Sequence, residues 1–507
     1  MMAMPAETCA WRLADLAQGL VAEAAVAGAL GDRRISSLTL DSRSAVPGSL
    51  FLACQGERVH GLAFAEEAAR RGAVAILAEP SVAWPSEALA QVQARTGVPI
   101  VAAPGLAAGL GRLADRFYGE PSAAMEVFGV AGAHGKTSVA HLLAQTLGQR
   151  LRCGVLGAAG VGYPGELNAA TSPATDALGL QSTLATLRRH GASAIAMAIP
   201  TGTVARGLTD GVRFSHAILT RGDADPGALA RLVQTPGLRW TVLDLDDPGH
   251  TRLLATLPPE MRVAGYSLRP DAPIPARCDL WVRAASLRPL AAGLRIRAAS
   301  NTGHGVLQAP LMGLFNGANL LAVLAVLLSR GATMDEALRH LRQVRGVPGR
   351  MEAFGGDGAP LAVVDCARTP DALEKALTSL RLHGCRRSIA VVGCVGERDR
   401  GQRPRIGAIA ERLSDALILT DDNPGREDGD AIAADILAGV SHPERVRVER
   451  RRGLAIRRAI AIAGRGDAVL VAGQGHETTQ NQGGLQVHFS DRAQVVEALR
   501  EWREGHH

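Results

Sequence analysis

The segment Val127-Phe-Gly-Val-Ala-Gly-Ala-His-Gly-Lys-Thr-Ser138 is an apolar run that breaks into glycines and ends in one cation and two hydroxyls. A strand feeding such a turn can wrap a phosphate group. Gly132 and Gly135 let the backbone approach an anion, Lys136 supplies a point charge for the β and γ phosphates, the Thr137 hydroxyl suits a Mg²⁺ position, and Ser138 follows directly. Behind the turn, Val139, Leu142, Leu143 and Leu147 recur at helical spacing, so a helix opens there with its N–H groups and dipole facing the loop. The chemistry this equipment serves is the holding of a nucleoside triphosphate, ATP with Mg²⁺. The spacing departs from G-x-x-x-x-G-K-[ST] at one point: Val130 sits where the first Gly belongs, and Gly129 comes one residue early.

Strands and helices must alternate to present such a loop. From residue 36 to 79 the pattern is strand, turn, strand, helix, strand, which predicts a small α/β domain ending near Glu120-Pro121. In it Asp41, Ser42 and Arg43 fall where a strand ends, as a ligand loop or as an Asx-type turn. Candidate strands at 125–130, 153–157, 193–199, 214–220 and 239–245, with a helix at 176–188, predict a mostly parallel, doubly wound sheet. A Pro- and Arg-rich stretch at 268–300 reads as an antiparallel excursion, and an apolar helix follows from Asn316 to Ser329. Strands at 361–365, 388–393, 415–420 and 467–472 alternate with helices at 371–382, 405–413 and 429–438, a second α/β unit with its own ligand loops. The expected domains are 1–122, 123–345 and 346–507.

The totals agree. A chain of 507 residues suggests about three cores at ~150 residues each. Aromatics are 3% of residues against 47% hydrophobic, so Ala, Val, Leu and Ile must fill the cores. The net charge of +6 is spread along the chain without a basic, aromatic-interleaved stripe, which argues against nucleic acid and suits small anionic ligands. The seven Cys are scattered and never at metal spacing, as expected of reduced thiols. Residues 1–33 lack a basic region before an apolar core, and no apolar run reaches the ~18 residues of a membrane span, so a cytoplasmic location without a membrane span is expected.

The order of motifs resembles the Mur ligases of peptidoglycan synthesis, in particular their MurE branch. Leu40-Asp-Ser-Arg43 with Pro47-Gly-Ser-Leu-Phe51, the loop at 129–138, Ala170-Thr-Ser-Pro173 and Phe315-Asn-Gly-Ala-Asn319 carry the likeness in the first two thirds. Gly349-Arg-Met-Glu352, Val364-Asp-Cys-Ala-Arg-Thr-Pro-Asp-Ala-Leu373, Val392-Gly-Cys394 with Arg398-Asp-Arg400, Thr420-Asp-Asp-Asn-Pro424 and Ala472-Gly-Gln-Gly-His-Glu477 carry it in the last. The resemblance implies an N-terminal uridine-binding domain, a central ATPase domain and a C-terminal Rossmann-like domain. It also implies a reaction in which ATP converts a substrate carboxylate to an acyl phosphate that an amine then attacks. Lys136 and Thr137 would serve ATP and one Mg²⁺, with Asn319, Arg350 and Asp365 holding the nucleotide. Ser42, Arg43, Thr171 and Ser172 would meet a UDP-MurNAc-peptide, and Asn423, Gly473 and Glu477 the incoming amino acid.

Departures from the family pattern cluster on catalysis. Ala198 stands where the family has a Glu that helps hold a second Mg²⁺, Pro226 where it has a metal-binding His, and the segment from Gly227 to Trp240 contains no Lys to be carbamylated. Asp223 and Asp225 are the carboxylates left in the altered loop to take a metal position, Asp225 then counting as catalytic with Lys136. Cys366, Arg368, Gln474 and Gly425 replace a Tyr, a His, a Lys and an Arg. The resulting expectation is a MurE-type ligase of weakened catalysis. Its alternatives are a pseudoenzyme that binds nucleotide or precursor and scaffolds other Mur enzymes, and a ligase retuned for a non-peptidoglycan acid.

Overall fold

The computed structural model describes residues 10–56, 58–168, 176–222, 225–397 and 400–506. It has three α/β domains, each around its own sheet. In the first, strands Ser37–Thr39, Ser49–Ala53, Ala73–Ala78 and Ile100–Ala102 form a parallel sheet in that order. The strand Ser49–Ala53 is buried at every position, as its unbroken apolar run requires of a strand covered on both faces.

The central sheet is larger and is organised about the strand Glu126–Gly132. Its neighbours are Ala194–Ala198 on one side and His216–Thr220 on the other, both parallel to it. Cys153–Gly157 lies beyond the first, and Trp240–Asp244, Arg262–Ser267 and Leu280–Leu290 extend the parallel array beyond the second. The chain thus leaves the strand end at Gly132 toward one side and returns toward the other, the topological switch at which open sheets bind ligands. The expected antiparallel excursion is real and longer than the sequence suggested: Leu280–Leu290, Gly293–Ser300 and Gly303–Ala309 form a meander at the sheet edge.

The helix Phe315–Ser329 is apolar on all sides and nearly all its residues are buried, because it lies between the helix Lys136–Leu147 and the strands of this sheet. Its first turn carries the exceptions, Asn316 and Asn319, both buried, with Asn319 beside Gly135 of the phosphate loop.

In the third domain the sheet order is Glu352–Gly355, Leu361–Asp365, Ala468–Ala472, Ser388–Val392, Ala416–Leu419, Arg447–Val448, parallel except for the first strand. Beneath it Arg452 and Asp491 form a doubly hydrogen-bonded ion pair, Nε to Oδ1 2.6 Å and Nη2 to Oδ2 2.7 Å, with both side chains fully buried. The imidazole of His383 ties this domain to the central one. Its Nδ1 lies 2.6 Å from the Leu290 carbonyl and its Nε2 accepts the Gly313 N–H at 2.9 Å, so the neutral ring donates at one nitrogen and accepts at the other. Cys54, Cys153, Cys278, Cys366, Cys385 and Cys394 are free thiols, and no helix among the described residues is long and apolar enough to cross a membrane.

Candidate active site

The phosphate loop takes its shape from the elements around it. Gly132 has φ +133° and Gly135 φ +87°, and a Cβ at either would meet fixed atoms: 2.1 Å from the Thr220 carbonyl oxygen and 2.6 Å from Asn319 Oδ1. Thr220 Oγ1 donates to the Ala131 carbonyl at 3.0 Å, while Asn319 Nδ2 donates to Asn316 Oδ1 at 2.7 Å and Asn316 Nδ2 to the Met312 carbonyl at 2.7 Å. The neighbouring strand and the apolar helix therefore set the loop before any ligand arrives. Lys136 Nζ donates to the loop's own carbonyls, Gly132 at 2.6 Å and Ala133 at 3.1 Å. Burial, and then the charge of Arg350, lower its pKa. No side chain caps the helix Lys136–Leu147, which leaves its first N–H groups facing the loop, with Thr137 half-buried and Ser138 buried beside them.

A cavity of about 260 Å³ opens in front of the loop, lined by His134, Ser138, Asn319, Arg350, Asp365 and Lys375 among others. The first three come from the central domain and the last three from the C-terminal one, so the cavity lies across the domain cleft. Arg350 lines this cavity, and its buried Nε has no hydrogen-bond partner among the described residues. The Asp365 carboxylate accepts the Met351 N–H at 2.7 Å, and desolvation pushes its pKa up to about 6 against the opposing charge of Arg350.

That shift has a testable sign. An unfolded aspartate titrates near ~4, so between about 4 and about 6 the folded chain keeps a proton that the unfolded chain releases, and this residue's contribution to stability falls as pH rises through the window. Asp365→Asn keeps the acceptor for Met351 without the charge. In urea melts at pH 4 and pH 7, the variant should gain on the parent at the higher pH; an equal difference at both would rule the assignment out.

Two residues lining the cavity, Arg221 and Asp244, had no role in the sequence reading. Arg221, just after the strand His216–Thr220, reaches Asp244 through Nε at 3.0 Å and Asp246 through Nη2 at 3.0 Å, beside the nucleotide cavity. The legible signal was an Arg at one strand end with two Asp at the end of the next.

One substituted position lies beside the loop, Ala198, which pairs with Val130. Ala198 ends the strand Ala194–Ala198, its methyl 3.1 Å from the point where Gly157 would carry a Cβ. Pro226 begins the helix Pro226–Val233, and the Asp225 carboxylate caps it by accepting the Gly227 N–H at 2.9 Å. Asp225, expected to take a metal position, is exposed and serves the helix end. Among the described residues no three His, Cys, Asp or Glu side chains converge as a metal site. Asp223, Thr171, Ser172, Arg398 and Asp399 lie outside the described residues.

In the N-terminal domain Ser42 Oγ donates to Glu67 at 2.6 Å and Asp41 accepts the Arg43 N–H at 3.0 Å, the Asx-type turn, with the Arg43 side chain folded onto Asp41. In the C-terminal domain Asn423 Nδ2 donates to Glu477 at 2.9 Å, and Gly473, φ +120°, lies where a Cβ would be 2.6 Å from Asp422.

Comparison with known proteins follows the three sheets. Residues 34–118 match the Mur ligase family catalytic domain, 130–225 the Mur ligase middle domain and 349–475 the Mur ligase glutamate ligase domain. The chain is 42% identical to the UDP-N-acetylmuramoyl-L-alanyl-D-glutamate--2,6-diaminopimelate ligase of Alkalilimnicola ehrlichii, over 93% of this chain and 96% of that one. The chain belongs to the Mur ligase family. The ligase of the same description from Pseudomonas aeruginosa is 40% identical over 94% of this chain and 97% of its own. A solved 2,6-diaminopimelate ligase structure superposes with a TM-score of 0.69 at 28% identity, covering 98% of this chain and all of that one. A MurF structure from Acinetobacter baumannii, at 16% identity and a TM-score of 0.61, covering 98% of this chain and all of its own, shares the three-domain Mur ligase fold.

Proposed function

We propose that this Mur ligase homologue is a MurE-type acid–amine ligase of peptidoglycan precursor synthesis, acting in the cytoplasm on a UDP-MurNAc-peptide. ATP, the acid and an amino acid would give ADP, phosphate and an amide, with domain boundaries near 122 and 345. The observation that carries the reading is the preformed nucleotide cleft, where a glycine loop and Lys136 from one domain face the unpartnered Arg350 donor and Asp365 of the other. Lys136 would leave its own loop carbonyls for the β and γ phosphates, and the loop N–H groups would take the remaining charge. Asn319, Arg350 and Asp365 would hold the nucleoside, and Thr137 would hold a Mg²⁺ that neutralises phosphate charge. The described residues do not fit a second metal, and no step is assigned to one.

Turnover on this reading is slow. Removing one preorganised electrostatic group costs about 10²–10³ in rate, and the changes at 198, at 226 and in the Lys-free segment affect one centre. The deciding measurement is ADP release with UDP-MurNAc-L-Ala-D-Glu and a set of amino acids. Release that needs acid, amine and Mg²⁺ together supports the ligase. Nucleotide bound without ADP formed for any pair supports a second reading, a precursor- or nucleotide-binding protein that scaffolds Mur enzymes; Ala198, packed beside Gly157 where the family pattern has a carboxylate, favours it.

A further inference from the structure

Three loops at the carboxyl ends of the C-terminal sheet meet around one guanidinium. Arg368 follows the strand Leu361–Asp365, Asp422 and Asn423 follow Ala416–Leu419, and Glu477 lies in the loop after Ala468–Ala472. Arg368 Nη1 is 2.5 Å from Glu477 Oε1, while its Nε and Nη2 lie 3.1 and 3.3 Å from the two Asp422 oxygens. Asn423 Nδ2 takes the other Glu477 oxygen at 2.9 Å and reaches Asp422 at 3.2 Å. Asp422 is fully buried and Glu477 partly so, and all four carboxylate oxygens already have donors. The other cation at Asp422, Arg452, is committed to Asp491. The family pattern has a shorter His at 368.

Resting on the reading above, in which Asn423, Gly473 and Glu477 meet the incoming amino acid, we infer that Arg368 is a specificity residue: its guanidinium fills the place of an amino-acid ammonium and turns the pocket against diamino acids. One ammonium of a diamino acid becomes the attacking amine, and the other needs a carboxylate within the pocket. Glu477 and Asp422 would be that acceptor, and all four of their oxygens already take donors from Arg368 or Asn423. A second cation entering here must displace one of those donors, a penalty that a monoamino acid with the same skeleton escapes.

The test compares 2,6-diaminopimelate with 2-aminopimelate by calorimetry on the full-length parent, Arg368→Ala and Arg368→Gln. Gln keeps a donor for the buried Asp422 should Ala fail to fold. The parent should bind 2-aminopimelate more tightly than 2,6-diaminopimelate, and either variant should improve the diamino compound alone by about tenfold or more. A ratio equal in parent and variants, or a parent that prefers the diamino acid tenfold, overturns the inference alone. Binding of neither compound to any of the three proteins, with ATP binding intact, overturns the inference together with the assignment of this pocket to the amine.

Discussion

Lys136→Ala should lower nucleotide-dependent turnover by about 10²–10³ and weaken ATP binding to match, while the folded chain keeps its melting profile. Lys136 is the lysine at the mouth of a loop whose other donors are backbone N–H groups, the His134 ring and the Thr137 and Ser138 hydroxyls, and its amine now rests on the Gly132 and Ala133 carbonyls. Those two contacts are local, so losing them leaves the strand and helix in place. Lys136→Arg does not rescue, because the planar fork matches neither the space held by Gly132 and Gly135 nor a point contact between two phosphates. Calorimetry with ATP and Mg²⁺ on parent and both variants checks this, and near-parental affinity in Lys136→Ala would remove the loop from the nucleotide site.

Arg452→Ala should cost about 3–5 kcal/mol in the C-terminal domain, the usual result of leaving one member of a buried ion pair without its partner. Arg452 also donates to the Ala472 carbonyl at 2.9 Å and the Asp421 carbonyl at 3.3 Å, so it fastens the loops on which Asp422 and Gly473 sit. Replacing the pair together, Arg452→Met with Asp491→Leu, should recover most of the loss, since neither member then remains buried without its partner. Urea unfolding followed at Trp502, which packs in the same layer, resolves this domain once Trp11, Trp84, Trp240 and Trp281 are replaced by Phe in parent and variants alike, a separation a three-domain chain requires. A loss below about 1 kcal/mol for the single variant would mean that water reaches Asp491.

The elements were legible in the sequence because each rests on local pattern. The strand at 126–132, the helix behind Lys136 and the alternation at 361–472 follow from hydrophobic period and punctuation by glycine, and observed ends differ from expected ones by a residue or two. Gly132 and Gly135 were legible for the same reason, the positive φ being something few other residues adopt. Pairings across the fold were not. Arg221 finds Asp244 across 23 residues and Arg368 finds Asp422 across 54, and no property of an arginine in a loop says which of many carboxylates it will meet. Asp225 stood beside a proline that opens a helix, and that neighbour decided its use as a cap. The carboxylate's position was readable, but its local partner, the Gly227 N–H, was not.

His383 bears on how the cleft can close around a nucleotide. Its ring is held at both nitrogens by main-chain groups of the central domain, at Leu290 and Gly313. Gly313 lies two residues before Phe315, where the helix carrying Asn319 starts. The imidazole therefore pins the C-terminal domain to the turn that precedes that helix, and the His476 ring adds a second tie at the Ala158 carbonyl, so the two walls of the cleft are held in register from both domains. The first of these ties depends on a proton. The Gly313 N–H needs a bare lone pair, which burial preserves by lowering the His383 pKa; a doubly protonated ring would keep Leu290 and release Gly313.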